Sequence, residues 1–201
     1  SITTYAAEPE QATETATEVV WETETEEEIA EPEAETNAQT TGATIVKSGS
    51  CGDSSSNLTY TIDSDGVLTI SGTGAIKQSA FEGNTEIKKL VLNKGITGIG
   101  GRAFYGCKAL TGDLIIPQGV TIIEGSAFSD CSGLNGRLEI PDTVTTIEAR
   151  VFFACRNLTG DLIIPDSVTT IGYQTFWMCS GFNGRLQLSS KLKTIPRYLF
   201  H

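Results

Sequence analysis

Histidine is all but absent from this 201-residue chain, for His201 is the only one. With a single imidazole, no Ser/His/Asp or Cys/His catalytic set can be assembled, and no paired carboxylates stand in a supporting context. Nothing resembles a phosphate-binding glycine loop. Long apolar runs are missing too: no stretch approaches the ~20 residues needed to cross a bilayer. Basic residues are absent before Lys47, and no basic stripe follows, so the pattern gives no support to nucleic-acid binding. These absences argue against an enzyme and call for no cofactor. They point instead to binding or structural roles.

What is present is a period. Cys107, Cys131, Cys155 and Cys179 fall 24 residues apart, each three residues after Phe104, Phe128, Phe152 and Phe176. Phe81 and Phe200 extend the phenylalanine column, and Asn84 takes the cysteine position in the first unit. A fixed period in the twenties marks a solenoid, in which each unit covers the apolar face of the next. The copies beginning at Gly112 and Gly160 share GDLIIP, those at Gly136 and Gly184 share GRL, so the array descends from a duplicated pair.

Each unit carries two periodicities. Leu114 and Ile116 alternate with Ile115, the pattern of a short strand. Pro117, Pro141 and Pro165 then end the strands by removing a ladder donor. The β-branched runs from Val120, Val144 and Val168 predict a second short strand. In AFYGC the apolar residues are three and four apart, which predicts one or two turns of α- or 3₁₀-helix with Phe104 and Cys107 inward. Upstream, LTYTI and VLTISG flank Asp63-Ser64-Asp65-Gly66 as a β-hairpin with a four-residue turn, suited to covering the first edge of the array. Asp63 to Gly66 hints at a calcium loop, but Gly74 stands where an EF-hand needs a glutamate. The segment is therefore expected to be a turn.

The run CxxLxGxLxIPxxVTxIxxxAF, from Ser79 to His201, resembles the BspA-type leucine-rich repeat, a bacterial surface class. Ser48 to Ile76 is similar to the lead-in that often precedes such arrays. The resemblance implies an α/β leucine-rich-repeat solenoid with short strands, one short helix per 24-residue repeat and an N-terminal β-hairpin cap. It also implies a secreted or cell-surface protein that binds host or bacterial partners, with no catalytic residues to carry over. Phe182 and Ser189 depart from the leucine and proline of the pattern.

Three segments follow. Residues 1–43 form an acidic Glu/Thr stretch, 44–78 the hairpin cap, and 79–201 a solenoid of about five repeats that is incomplete at its C-terminal end. All 12 acids before Lys47 are glutamates, leaving 13 acids against 14 bases, so the formal charge of −11 belongs to the leading stretch. That composition predicts a disordered, self-repelling spacer. The opening SITTYAA has small residues at Thr4 and Ala6, as at the end of a signal peptide.

Four columns of equivalent residues run along the array. The cysteine file is read as an inert, reduced packing ladder, because stacked equivalents lie too far apart for a disulfide and do not converge on a metal. Cys51, outside the file, is expected at the surface. Lys89, Asp113, Arg137, Asp161 and Arg185 alternate in sign and predict a ladder of ion pairs. Beside them the outward positions Ile115, Glu139, Ile163 and Gln187, with Val91, form the candidate partner-binding face. The residues after each phenylalanine, Tyr105, Phe153 and Trp177, are the candidate glycan-binding ridge. The expected partner is an extracellular protein, with a glycan as the alternative. A plain structural spacer is the competing reading.

Overall fold

The computed structural model describes residues 42–201. The acidic stretch predicted as a spacer, and the SITTYAA signal, lie outside the described residues. Three strands open the fold: β1 (Ile45–Ser50), β2 (Thr59–Asp63) and β3 (Val67–Ser71). β1 pairs with β2 and β2 with β3, all antiparallel. The β2–β3 turn closes through Gly66 N–H to the Asp63 carbonyl, 3.0 Å. One Asp63 carboxylate oxygen accepts the N–H groups of Asp65 and Val67 at 3.0 and 2.9 Å. The carboxylate thus serves the turn itself.

β3 is also the first strand of the solenoid, since it pairs in parallel with β5 (Lys89–Leu92). Six coils follow from it, each beginning on one face with β3, β5, β7 (Leu114–Ile115), β9 (Leu138–Glu139), β11 (Leu162–Ile163) or β13 (Leu186–Gln187). The second strands are β4 (Gly74–Ile76), β6 (Ile96–Ile99), β8 (Ile122–Ile123), β10 (Thr146–Ile147) and β12 (Thr170–Ile171). They form one continuous parallel sheet in the order β4-β6-β8-β10-β12. The predicted β-branched strands are therefore present, and the coil after each proline turns through bonds such as Val120 N–H to the Pro117 carbonyl, 3.3 Å.

The lead-in closes both faces of the first coil. β2 covers β3, while the loop at 51–57 covers β4 with polar side chains: Ser56 Oγ accepts the Ala75 N–H at 2.8 Å and Asn57 Oδ1 the Thr73 N–H at 2.6 Å. Its Ser, Asp and Asn residues thus satisfy a strand edge that would otherwise stand open. Cys51 is drawn into this contact and is 1% exposed, not at the surface as expected. Its carbonyl accepts the Lys77 N–H at 2.9 Å.

Among the described residues there is no helix, which corrects the expected helix in each coil. The reason is visible in the backbone. Arg102, Ser126, Arg150, Gln174 and Tyr198 have φ between 56° and 59°, and Gly106, Asp130, Ala154 and Met178 between 58° and 70°. Two left-handed residues four positions apart in every coil prevent a right-handed helix from propagating. The N–H groups alternate accordingly. Ala127, Ser129 and Cys131 donate three residues back, to Glu124, Ser126 and Phe128. Ser126, Phe128 and Asp130 donate instead to Ala149, Val151 and Phe153 of the next coil, at 2.8–3.0 Å. A run of tight turns shares half its hydrogen bonds with its neighbour, something a helix cannot do. The inward residues are nonetheless those expected. Phe81, Phe104, Phe128, Phe152 and Phe176 are buried and stack in one file with centroids 5.0–5.9 Å apart and ring planes within 14°.

Candidate functional site

In β7, β9 and β11, two-residue strands closed by a proline leave a single outward strand side chain per coil on the β5–β13 face. Leu114 and Leu162 point into the core, while Ile115 is 53% exposed and Ile163 half-buried. Glu139 and Gln187 are exposed, and Val91 extends the column toward the first coil. The four residues singled out are thus brought into one file, with Ile115 directly opposite Glu139 and Ile163 opposite Gln187 in the parallel ladders. Between those two ladders lies an open groove of about 500 Å³, walled from Arg137 to Ile140 on one side and by Gly160, Asp161 and Ile163 on the other.

The ion-pair ladder is only half formed. Arg137 reaches Asp113 at 3.5 Å and Arg185 reaches Asp161 at 3.6 Å. Among the described residues no pair joins Lys89 to Asp113 or Arg137 to Asp161, so the expected continuous ladder is corrected to two separate rungs. Each aspartate also accepts the backbone N–H of its arginine at 2.7 Å. An acid one coil before can accept that N–H; an arginine there cannot. Arg137 forks to Glu139 as well, at 3.4 Å, so this candidate residue meets a partner with its charge already compensated.

The aromatic ridge is broken by Ser129, which is buried, and its rings are engaged within the chain. Arg102 lies over Tyr105 with Cζ 4.5 Å from the centroid, and Arg150 over Phe153 at 5.7 Å and Tyr173 at 5.4 Å. Trp177 stacks on His201 at 4.2 Å and meets Tyr198 edge-on at 5.3 Å. Arg102 and Arg150 sit three residues before their aromatics and 48 apart, a spacing visible in the sequence although the composition of the column does not announce it. Arg137 and Asp161, expected as ladder charges, also wall the groove.

The cysteine file is free and internal. Each thiol donates to the carbonyl of the phenylalanine one coil earlier: Cys107 to Phe81, Cys131 to Phe104, Cys155 to Phe128 and Cys179 to Phe152, at 3.0–3.1 Å. Burial pushes the Cys107 thiol up to about 11 and Cys179 to about 12, and raises Cys131 and Cys155 further with the help of neighbouring thiols. Cys51 is likewise pushed up to about 11 by burial. Such thiols are poor nucleophiles.

Three solved structures resemble the chain. A leucine-rich repeat protein of T. pallidum is 24% identical with a TM-score of 0.53, over 63% of this chain and 66% of that one. It supports the solenoid fold and nothing finer. A leucine-rich repeat protein from Eubacterium ventriosum ATCC 27560 is 27% identical with a TM-score of 0.48, over 72% of this chain and 45% of its own. A leucine rich cell surface protein from Faecalibacterium prausnitzii A2-165 is 20% identical, TM-score 0.32, over 66% and 53%. The latter two superpose too loosely to bear on the fold. The chain spans less than two thirds of each of these three proteins. Comparison with curated proteins gives no match. The family model for the BspA type leucine rich repeat region matches in six copies, over residues 67–183 and 136–201. Its first residue is the first of β3, where the coils begin. With that match covering most of the chain, and six stacked coils to account for it, the protein belongs to the BspA-type leucine-rich repeat family.

Proposed function

We propose that the chain is a non-catalytic binding module that presents the β5–β13 face to another protein, at the surface of a bacterium or after secretion. Repeats of this fold generally serve protein–protein interaction, and fold by itself names no ligand. The observation that carries the reading is the exposed file of Val91 and Ile115, continued by Ile163 beside an open groove. Apolar side chains repeated along an accessible sheet are what an interface core uses, with charged residues at its rim. Arg137, Asp161 and Glu139 supply that rim. An extracellular protein is the partner class this suits.

The ridge of Tyr105, Phe153 and Trp177 suits a glycan less well, because arginine and histidine already cover ring faces that a sugar would stack upon. The test is direct. Replacing Ile115, Glu139 and Ile163 with lysine, in a variant whose circular dichroism matches the parent, should abolish capture of candidate extracellular proteins. Undiminished capture by that variant would remove the face from consideration. Loss of polysaccharide retention on Phe153→Ala and Trp177→Ala would favour the ridge instead, and no binding by either route would leave a spacer.

A further inference from the structure

We infer that the solenoid is jointed at every second coil, with the joint between β9 and β11 opening the groove on the β5–β13 face. The two faces of the array are bonded differently. β4-β6-β8-β10-β12 runs unbroken, whereas the opposite strands pair only as β3-β5, β7-β9 and β11-β13. Within a pair, Leu114 N–H donates to the Arg137 carbonyl at 2.8 Å and Ile116 N–H to Glu139 at 3.0 Å. Leu162 and Ile164 do the same toward Arg185 and Gln187, at 2.9 and 2.8 Å. The equivalent donors at the joints, Leu138 and Ile140 toward β11 and Leu90 and Leu92 toward β7, donate to nothing among the described residues.

Burial follows the same alternation. Ile116 and Ile164 are 3% and 0% exposed, while their counterparts Leu92 and Ile140 are half-buried. At the β7–β9 and β11–β13 junctions the chemical cause is the Asp/Arg alternation; β3 and β5 pair over four residues with Val67 opposite Lys89 and do not need it. At a closed junction Asp113 accepts the Arg137 N–H, Asn135 Oδ1 accepts the Gly112 N–H at 2.9 Å, and Gly136 N–H reaches the Gly112 carbonyl at 3.0 Å. At the joint, residue 137 is an arginine with no acceptor, and a Thr159 N–H to Gly136 carbonyl bond of 2.9 Å ties the strand bases. The joint therefore opens on one face while the continuous β8-β10-β12 ladder holds the other, as a hinge does. The groove walls, Arg137 to Ile140 and Gly160 to Ile163, are the two sides of that opening.

Residue-resolved hydrogen exchange on the full chain tests this. Amides of Leu90, Leu92, Leu138 and Ile140 should exchange at least ~10-fold faster than those of Leu114, Ile116, Leu162 and Ile164, a gap of about 1.4 kcal/mol in local opening. Equal protection of the two sets would overturn the joint. A variant adds an internal control. Asp113→Ala removes the acceptor that closes the β7–β9 junction, so exchange should rise at Leu114 and Ile116 and stay unchanged at Leu162 and Ile164. An equal rise at all four would mean the coils loosen as one body, and would count against a jointed array.

Discussion

Replacing Gly136 by alanine should be far more damaging than the same change at Gly112, although the two glycines occupy the same place in neighbouring coils. Gly112 has φ 86°, and a Cβ there would meet nothing within 4 Å. Its alanine pays only for the left-handed backbone, about 1–2 kcal/mol, less the ~0.4–1 recovered from a stiffer unfolded chain. Gly136 has an ordinary φ, but a Cβ would come within 2.2 Å of Asp113 Oδ1 and 2.5 Å of the Asp113 backbone nitrogen. Backbone cannot yield as a flexible side chain would. Overpacking of this kind costs roughly 1–3 kcal/mol, and displacing Asp113 also breaks its charge-assisted bond to the Arg137 N–H, a further ~1.5–3. Subtracting the same entropy gain leaves about 2–5 kcal/mol for Gly136→Ala against about 1.5 or less for Gly112→Ala. In urea, with a slope near ~2 kcal/mol/M, that is a midpoint shift of about 1–2.5 M against under ~0.8 M. Circular dichroism would follow both. If Gly112→Ala proves as costly as Gly136→Ala, the account of the closed junction is wrong.

Other consequences follow from the backbone and the thiols. Ser126, held at φ 57°, should gain about 0.5–1 kcal/mol on replacement by glycine and lose about 1–2 on replacement by valine, read as shifts in thermal midpoint. The column thiols should resist alkylation at pH 8 in the folded chain and all react once it is denatured, as a thiol-counting assay would register. Their folded pKa values lie above the unfolded value of about 8.5. The stability they contribute is therefore complete below that pH and is lost as pH rises through about 11 to 12. Urea midpoints should fall between pH 8.5 and 11, and fall less in Cys107→Ala than in the parent. An unchanged pH dependence would mean these thiols are not held protonated by the fold.

The 24-residue period was enough to establish stacked coils, because only a unit that covers its neighbour needs the same apolar residues at the same offsets. Phe104, Cys107, Leu114 and Ile116 point inward for that reason, and Ile115 points outward by strand alternation. Spacing could not distinguish a helix from successive turns, since residues three and four apart share a face in both. The left-handed residues that decide the matter, such as Arg150 and Met178, carry no glycine to announce them. Cys51 became buried through a loop contact with β4 that no local pattern encodes. The pairing of coils was legible in the alternation of GDL and GRL. That the alternation divides one sheet into separate rungs, and leaves a groove at the joint, depended on which backbone N–H groups find an acceptor across space. Acceptor position is a property of the folded neighbours, so only the tertiary structure could set it.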